Sequence, residues 1–437
     1  MIGLFDGLPV GWQIYFTVAL VVVTVMMAWT TLLFVRSARQ LATSRRADTD
    51  AFTWVFLVPA LNEERTIVDS VSRLLDLPVA HRHIVVIDDG STDDTPRILA
   101  GIDHPDLRII RRDPPDARRG KAAALNHAYR RLAEDLPGLD RDHTIVVIVD
   151  ADGRLAADAP ARAAAHFADP RVGGVQSQVR IYNRSRLLTW MQDIEFGVYG
   201  RLFQAGRNGW GTAGMGGNGQ FNRLTALDAV AEGEGPWKDR LTEDQDLGLR
   251  LLAAGWHGRQ ELVGSVDQQG LPRLRPLLRQ RTRWSQGNLQ AMDLLRTVMR
   301  SPFPLLARME LFAYMLMPLW QGVVGVAFVA ALALAVVGDV SLWGHGLTWE
   351  LAVVYLLGFG GTVMGAVAAR RGMGWMGPVR GFLVGHVYAL YSLLLWPVLV
   401  RSLLRQFAGR DGWAKTAREP VEEGRTPAEA PRAKALV

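Results

Sequence analysis

The feature that most constrains the fold of this chain is an uncharged apolar run from residue 12 to residue 35. Its 24 residues, WQIYFTVALVVVTVMMAWTTLLFV, include no Asp, Glu, Lys or Arg. At about 1.5 Å per residue, a helix of that length crosses a hydrocarbon layer of about 30 Å. Residues 1–11 contain no Lys or Arg, whereas a cleaved signal peptide has a basic start and a shorter apolar run. The run therefore predicts a retained transmembrane helix with residues 1–11 outside the cytoplasm.

Arginines place the membrane segments relative to the cytoplasm. Basic residues favour the cytoplasmic end of a span, so the basic linker 36–50 and the domain after it are expected inside the inner (plasma) membrane. Region 301–404 contains three more apolar runs, at about 310–337, 349–369 and 381–400. The loop 338–348 has no Lys or Arg, and the next loop has three arginines, which places the first outside and the second inside.

The last apolar run, 381–400, conflicts with this rule. A full crossing would leave the basic tail 405–437 outside, so either the run is re-entrant or interfacial, or the rule fails here. We favour a cytoplasmic tail, and residues 419–437, rich in Pro, Ala, Glu and Arg, are expected to be disordered.

The composition of the chain limits the kinds of cofactor and binding partner that it can have. The chain has no cysteine, which excludes disulfides and thiolate metal sites. Its net charge is +6, and arginine lies beside the apolar runs instead of forming one basic stripe. This pattern favours an anionic lipid bilayer as the partner of the basic residues, and we expect no nucleic acid to bind.

Residues 51–300 alternate β-branched runs with helical stretches, which predicts an α/β domain with a doubly wound, mainly parallel sheet. The predicted strands are 54–60, 83–88, 107–110 and 144–150. Ligands of such sheets bind beyond the carboxyl ends of the strands. Polar residues follow three of the strands there: Asn62 and Glu63, Asp88 and Asp89, Asp150 and Asp152.

These strand ends predict a divalent metal site. A lone Asp after a strand is more often a turn residue, but three successive strand ends are harder to explain in that way. Asp150 and Asp152 lie two residues apart, a spacing that lets carboxylate oxygens share Mg²⁺ or Mn²⁺. The glycine-rich stretch GMGGNG (214–219) is either a flexible loop or a close approach to substrate. Neither a P-loop nor a GxGxxG after the first strand is present.

Seven motifs occur in the order of one known family. They are VPALNEE, IDDGSTDDT, RRGKAAALN, VDADG, GGNGQFNR, LTEDQDL and QRTRW, covering residues 54–290. With apolar helices on both sides, the chain resembles the membrane-integrated family 2 glycosyltransferases, the group of cellulose, chitin and hyaluronan synthases. The resemblance implies a GT-A fold, a nucleotide-sugar donor that is usually UDP-linked, and inversion of the anomeric centre.

The resemblance also implies roles for single residues. Pro59, Leu61, Glu63 and Asp89 match positions around the uridine, and Lys121 matches a basic residue beside the diphosphate. Asp150 and Asp152 match the metal motif, Asp150 also facing the nucleotide sugar. Asp244, next to Glu243, matches the catalytic base. Gln280, Arg283 and Trp284 match the acceptor and diphosphate motif of polymer-forming members.

The sequence around Asp244 predicts a helix with the base in its first turn. Thr242 followed by Gln245 is a capping-box pattern, and Gly255 suits the end of the helix. The helix dipole would favour an ionised carboxylate at Asp244. In the alternative interpretation, Glu243 and Asp244 only decorate a helix N-terminus.

Two amphipathic segments, 184–205 and 272–300, each allow two interpretations. The first presents an apolar face that suits either a core helix or, as we favour, a helix in the membrane interface. In the second, Gln280, Arg283 and Trp284 share one helical face, and Arg281 and Thr282 point elsewhere. That face suits an acceptor site, which we favour, or a membrane-surface anchor.

Three functions remain open. The first is a processive synthase of a β-linked polysaccharide that exports its product through its own helices, with a homo-oligomer or export partner completing the channel. Seven polar or aromatic side chains of the apolar runs suit the lining of a channel: Trp320, Gln321, Tyr355, His386, Tyr388, Tyr391 and Trp396. An ordinary aromatic belt with helix packing explains the same residues. The second adds one or a few sugars to a lipid, and the third is a non-catalytic nucleotide-binding scaffold. No acid expected of an enzyme is missing, which disfavours the third.

Overall fold

A computed structural model of the chain describes residues 8–40, 44–337, 349–372 and 377–410. The predictions for residues 1–7, for the loop 338–348 and for the tail beyond residue 410 lie outside these ranges. Among the described residues, eight strands form one sheet: β1 (Thr53–Ala60), β2 (Arg82–Asp88), β3 (Leu107–Arg111), β4 (Thr144–Ile148), β5 (Arg154–Leu155), β6 (Val172–Ile181), β7 (Gln220–Arg223) and β8 (His257–Gln268).

The sheet is mixed and mostly parallel, which confirms the predicted class. Its strand order is β3-β2-β1-β4-β7-β6-β8-β5. The four predicted strands form the parallel half, with β1 between β2 and β4. β7 runs antiparallel to both of its neighbours, and β6 pairs in parallel with β8. The sequence did not predict β5 to β8.

The α/β domain contains the helices α2 (Ile67–Leu75), α3 (Thr95–Ala100), α4 (Lys121–Asp135), α5 (Ala159–Phe167), α6 (Leu187–Val198), α7 (Ala205–Arg207), α8 (Leu224–Ala229), α9 (Glu243–Ala253), α10 (Leu274–Gln290) and α11 (Leu295–Met299). Helices cover both faces of the sheet, and alternate residues of β1 point to opposite faces. Phe56 and Val58 pack in a cluster with α2, α3 and α5, and Val55 and Leu57 pack with α4, α8 and α9.

The remaining helices are apolar: α1 (Val10–Ala38), α12 (Leu305–Met315), α13 (Met317–Val337), α14 (Trp349–Ala369), α15 (Pro378–Leu394) and α16 (Trp396–Phe407). Within the described ranges, three stretches are long and apolar enough to cross a membrane: Val10–Ala38, Met317–Leu334 and Pro378–Phe407. Tyr355–Ala369 is a shorter apolar helix. The predicted run 310–337 is two helices that meet at Leu316. Pro318 follows this bend and lacks the N–H that a continuous helix would require.

The predicted run 381–400 is also broken, into α15 and α16 with a bend at Leu395. Both helices contact the α/β domain. The Tyr391 hydroxyl of α15 donates to Glu195 Oε2 of α6 at 2.8 Å. The Ser402 hydroxyl of α16 lies 2.8 Å from that of Ser285 in α10. The re-entrant alternative expects such contacts, whereas composition alone marks the stretch as a candidate span.

The packing of segment 184–205 corrects the interpretation that we favoured. Its apolar face is covered by α14 and α15, and the exposed fractions of Met191 and Ile194 are 1% and 0%. The face is therefore core between the α/β domain and the apolar helices, not a surface that lies in the membrane interface. The segment is also not one regular helix, because Tyr199–Gln204 forms a π-helical turn after α6.

Candidate active site

A cavity of about 390 Å³ lies beyond the carboxyl ends of β1, β2 and β4, the position expected for a parallel sheet. All the predicted site residues line it: Pro59, Leu61, Glu63, Asp89, Lys121, Asp150, Asp152, Glu243, Asp244, Gln280, Arg283 and Trp284. The structure thus gathers residues from strand ends, from two helix N-termini and from α10 around one space. Their individual roles remain predictions.

The end of the cavity at β2 contains a buried ion pair. Asp89, 6% exposed, accepts a hydrogen bond from the guanidinium of Arg112, which is also 6% exposed. Burial raises the pKa of Asp89, although the N–H of Arg118 and the Arg112 charge oppose that rise. The pair fixes the Asp89 carboxylate at the cavity wall. Arg112 was not among the predicted residues, because its place beside Asp89 depends on the pairing of β2 with β3.

Lys121 lies between two acids in the middle of the cavity. Its Nζ is 2.6 Å from Asp150 Oδ1 and 3.8 Å from Glu243 Oε1. Burial opposes the charge of Lys121, but the carboxylates of Asp150 and Glu243 outweigh burial and raise its pKa above the usual value. Lys121 is therefore a firmly charged cation at the N-terminus of α4, where the helix N–H groups also favour an anion.

The two acids of the VDADG motif fit a divalent cation in part. Asp150 and Asp152 both line the cavity, and Asp152 is 7% exposed. Within the described ranges, no group of three or more His, Cys, Asp or Glu side chains could hold a metal. Two carboxylates supply only some of the oxygens that Mg²⁺ or Mn²⁺ requires, so a bound diphosphate would have to supply others.

The predicted helix around Asp244 is α9, with Thr242 at its N-cap and Gly255 just beyond its end. The predicted capping box is wrong, because the Thr242 side chain makes no cap hydrogen bond. That side chain packs against α10 instead. A Cβ added at Gly287 would lie 2.3 Å from Thr242 Oγ1. The contact brings the helix of Asp244 and the helix of Trp284 close together.

Burial raises the pKa values of Glu243 and Asp244. For Glu243 the neighbouring carboxylate of Asp244 adds to the rise, and Lys121 opposes it. For Asp244 the opposing groups are Lys121 and the N–H of Gln245, which donates to Asp244 Oδ1 at 2.8 Å. A raised pKa suits a carboxylate that must accept a proton near neutral pH.

The glycine-rich stretch 214–219 approaches the Asp244 side chain closely, and its predicted close approach to substrate stays a prediction. Gly217 has φ +79°, and a Cβ there would lie 2.7 Å from Asp244 Oδ2. Glycine is thus required both by the backbone and by the space beside the proposed base. Sequence alone had left a flexible loop as the alternative.

Gln280, Arg283 and Trp284 of α10 line the cavity, whereas Arg281 and Thr282 are buried outside it. Arg283 Nη1 donates to the carbonyl oxygen of Leu241 at 3.2 Å. The indole of Trp284 meets the Phe196 ring edge to face, with centroids 6.1 Å apart. This helix face is therefore part of the cavity wall and not an anchor in lipid.

Several lining residues carried no signal in the sequence. Glu195, Phe196 and Tyr199 belong to the segment in which only apolar periodicity was noted, and Tyr314 lies in an apolar run. Tyr199 begins the π-helical turn, and its hydroxyl is 3.3 Å from that of Tyr314. Turns of this type often occur at functional sites, but sequence periodicity does not reveal them.

The side chains proposed for a channel do not meet at this cavity. None of the seven, all within the part of the chain that the structure describes, lines it. The Tyr355 hydroxyl is 2.6 Å from His386 Nε2, Tyr391 contacts Glu195, and Trp396 packs on Phe328. They belong to separate helix contacts.

Known proteins resemble this chain in both sequence and fold. The chain matches "Glycosyl transferase family group 2" over residues 145–366, more than half of its length, and "Glycosyl transferase family 2" over residues 55–231. A solved mannosyltransferase from Pyrobaculum calidifontis, in complex with GDP-Man and Mn²⁺, has a TM-score of 0.60 at 20% identity, covering 90% of this chain and 99% of that one. This likeness confirms the GT-A fold.

Two curated relatives differ in product. A β-monoglucosyldiacylglycerol synthase from Synechocystis is 32% identical over 60% of this chain and 53% of its own. A poly-β-1,6-N-acetyl-D-glucosamine synthase from Staphylococcus aureus is 30% identical over 62% of each chain. The chain thus spans little more than half the length of these relatives.

Proposed function

Because the chain belongs to glycosyl transferase family group 2, we propose that it transfers a sugar from a UDP-sugar to a hydroxyl of a membrane lipid, with inversion. The observation that carries the choice of acceptor is the composition of the cavity wall. Tyr314, from the apolar helix α12, lines the same cavity as Asp244 and Trp284. Helix α12 leads at Leu316 into the candidate span Met317–Leu334, so an acceptor that lies in the bilayer would enter the cavity beside it.

The nucleotide-sugar donor binds in the half of the cavity that lies at the strand ends, which we call the donor half. The uracil ring lies against Pro59 and Leu61. Its imide N–H donates a hydrogen bond to the Asp89 carboxylate, which Arg112 holds in place. Lys121 and the N-terminus of α4 hold the diphosphate. Asp150 and Asp152 would hold Mg²⁺ or Mn²⁺, which supplies positive charge to the leaving diphosphate when bound.

The acceptor half lies across the cavity. Asp244 removes the proton from the acceptor hydroxyl, which attacks the anomeric carbon from the face opposite the diphosphate. Glu243, buried beside Lys121, adds negative charge that keeps this lysine protonated. The Trp284 indole offers a flat surface for the acceptor, and Arg283 offers a guanidinium to phosphate oxygens.

A polysaccharide synthase is the second candidate, favoured by the QRTRW face on α10 and by the S. aureus relative. The seven proposed channel residues do not line the cavity, which is why we place the lipid acceptor first. In either case the catalytic domain faces the cytoplasm, because Arg36 lies in the last turn of α1 and Arg39, Arg45 and Arg46 follow this helix.

This proposal is tested with the purified protein in lipid nanodiscs. The protein is incubated with a panel of UDP- and GDP-sugars, with and without diacylglycerol. We expect UDP release together with a lipid-phase product that carries one or a few sugars. A long water-soluble polymer would select the second candidate. Nucleotide release that no acceptor accelerates would overturn both.

A further inference from the structure

We propose that Arg281, which does not line the cavity, is a positioning residue that holds the acceptor face of α10 in place. This inference deepens the function proposed above and rests on it. Arg281 is 5% exposed and lies one residue from Gln280 and three from Trp284. Its guanidinium reaches three side chains of the cavity wall at once.

The first contact is a fork to Glu195 of α6. Arg281 Nε donates to Glu195 Oε1 at 3.0 Å, and Nη2 donates to Oε2 at 2.7 Å. A paired contact of this kind fixes the plane of the guanidinium as well as its position. Lysine has a single ammonium and cannot reproduce the fork.

The second contact sets the orientation of Gln280. The remaining nitrogen, Nη1, donates to Gln280 Oε1 at 2.6 Å. Because this amide oxygen is held by Arg281, the amide presents its NH₂ group, which can only donate. A donor suits the phosphate or hydroxyl oxygens of the substrates.

The third contact supports the tryptophan. The Arg281 guanidinium carbon lies 4.2 Å from the centroid of the Trp284 ring. A planar cation at that distance is attracted by the face of the indole and limits its rotation. With Phe196 at the ring edge, Trp284 is held from two sides before any acceptor binds.

Tyr391 connects this network to the apolar helices. Its hydroxyl donates to Glu195 Oε2, the oxygen that also accepts from Arg281 Nη2. Glu195 therefore receives hydrogen bonds from α10 and from α15. The position of α15 thus contributes to the orientation of the acceptor face through two polar contacts, Tyr391 to Glu195 and Glu195 to Arg281.

A double-mutant cycle tests the inference. Arg281→Lys, Trp284→Phe and the double variant are compared in nanodiscs, with UDP-glucose or the sugar nucleotide that gives the fastest wild-type turnover. We expect Arg281→Lys to slow transfer about tenfold, and the double variant to be at least about threefold faster than independent losses would give. The ratio of sugar transferred to UDP released should fall too, which a loss of folded protein would not change.

Arg223→Lys is the matched control, since Arg223 is also 5% exposed but donates to the carbonyl oxygens of Val172 and Phe167, outside the cavity. Its ratio of transfer to release should equal that of the wild type. If Arg281→Lys does not fold, Tyr391→Phe replaces it in the cycle, because it removes only a hydroxyl. Additive losses, or an unchanged ratio, would overturn the inference. The proposed function is judged separately, by the wild-type product.

Discussion

An alanine at Gly217 should displace the Asp244 carboxylate and slow sugar transfer. The added Cβ would lie 2.7 Å from Asp244 Oδ2 and 3.4 Å from Asp244 Cγ. Ordinary contact begins near 3.4 Å, so the carboxylate or the loop must move by about 0.7 Å. A misplacement of about 1 Å at a reacting group can slow catalysis about 10²-fold. We therefore expect transfer to fall between about 10-fold and 100-fold.

Gly138→Ala separates this displacement from backbone strain. Gly138 has φ +89°, close to the φ of +79° at Gly217, but an added Cβ there has nothing within 4 Å. Both substitutions force alanine into the left-handed region, which costs about 1–3 kcal/mol of stability. Both variants should thus melt earlier by similar amounts, while only Gly217→Ala loses transfer.

The assay measures UDP affinity by calorimetry, melting temperature and the rate of UDP release on the same preparations. UDP affinity should be retained in Gly217→Ala, since the clash involves the proposed base and not the nucleotide end. In an Asp244→Asn background, Gly217→Ala should add little further loss, because the group that it displaces no longer acts as a base. Equal activity in the Gly217 and Gly138 variants would refute the reasoning.

Three further predictions concern the metal, the base and the membrane. Asp152→Asn should weaken UDP binding and turnover together, and undiminished activity in excess chelator would contradict a metal role. Asp244→Asn should cut transfer roughly 10²-fold or more while retaining UDP affinity. It should also raise the melting temperature, by more at pH 8 than at pH 5, since burial raises the pKa of this carboxyl and its ionisation weakens the fold as pH rises. In a chain without cysteine, Ala408→Cys should react with impermeant maleimide only from the cytoplasmic side, and Pro9→Cys only from outside. Labelling of Ala408→Cys in intact cells would exclude a re-entrant hairpin.

The parallel half of the sheet could be predicted because its strands are runs of buried β-branched residues. The other half could not, since its strands have polar sequences that only the assembled fold satisfies. Gln176 and Gln178 in β6 are each 2% exposed and bond to backbone carbonyls of distant segments. A window of sequence shows such residues as polar, whereas their partners lie in the glycine-rich stretch 214–219 and in α6.

The candidate site was predictable where it lies on strand ends and on one helix face. Periodicity also gave the correct direction for Arg281, away from the face of Gln280 and Trp284. It could not show that Glu195 and Tyr391 lie in that direction, 86 and 110 positions away along the chain. Contacts of this kind depend on how α6, α10 and α15 pack, which no local pattern encodes.

The two halves of the cavity are supported by different parts of the fold, the sheet on one side and the apolar helices on the other. The half that we propose for the donor lies at the strand ends of the sheet. The half that we propose for the acceptor includes Tyr314, whose ring lies 4.0 Å from the Arg207 guanidinium, and Arg207 pairs with Glu310 at 2.8 Å. Trp29 of α1 also donates to Glu310. Removing one partner of a buried pair is far more costly than removing a surface charge. Helices α1 and α12 therefore also fix the part of the cavity wall that Tyr314 forms.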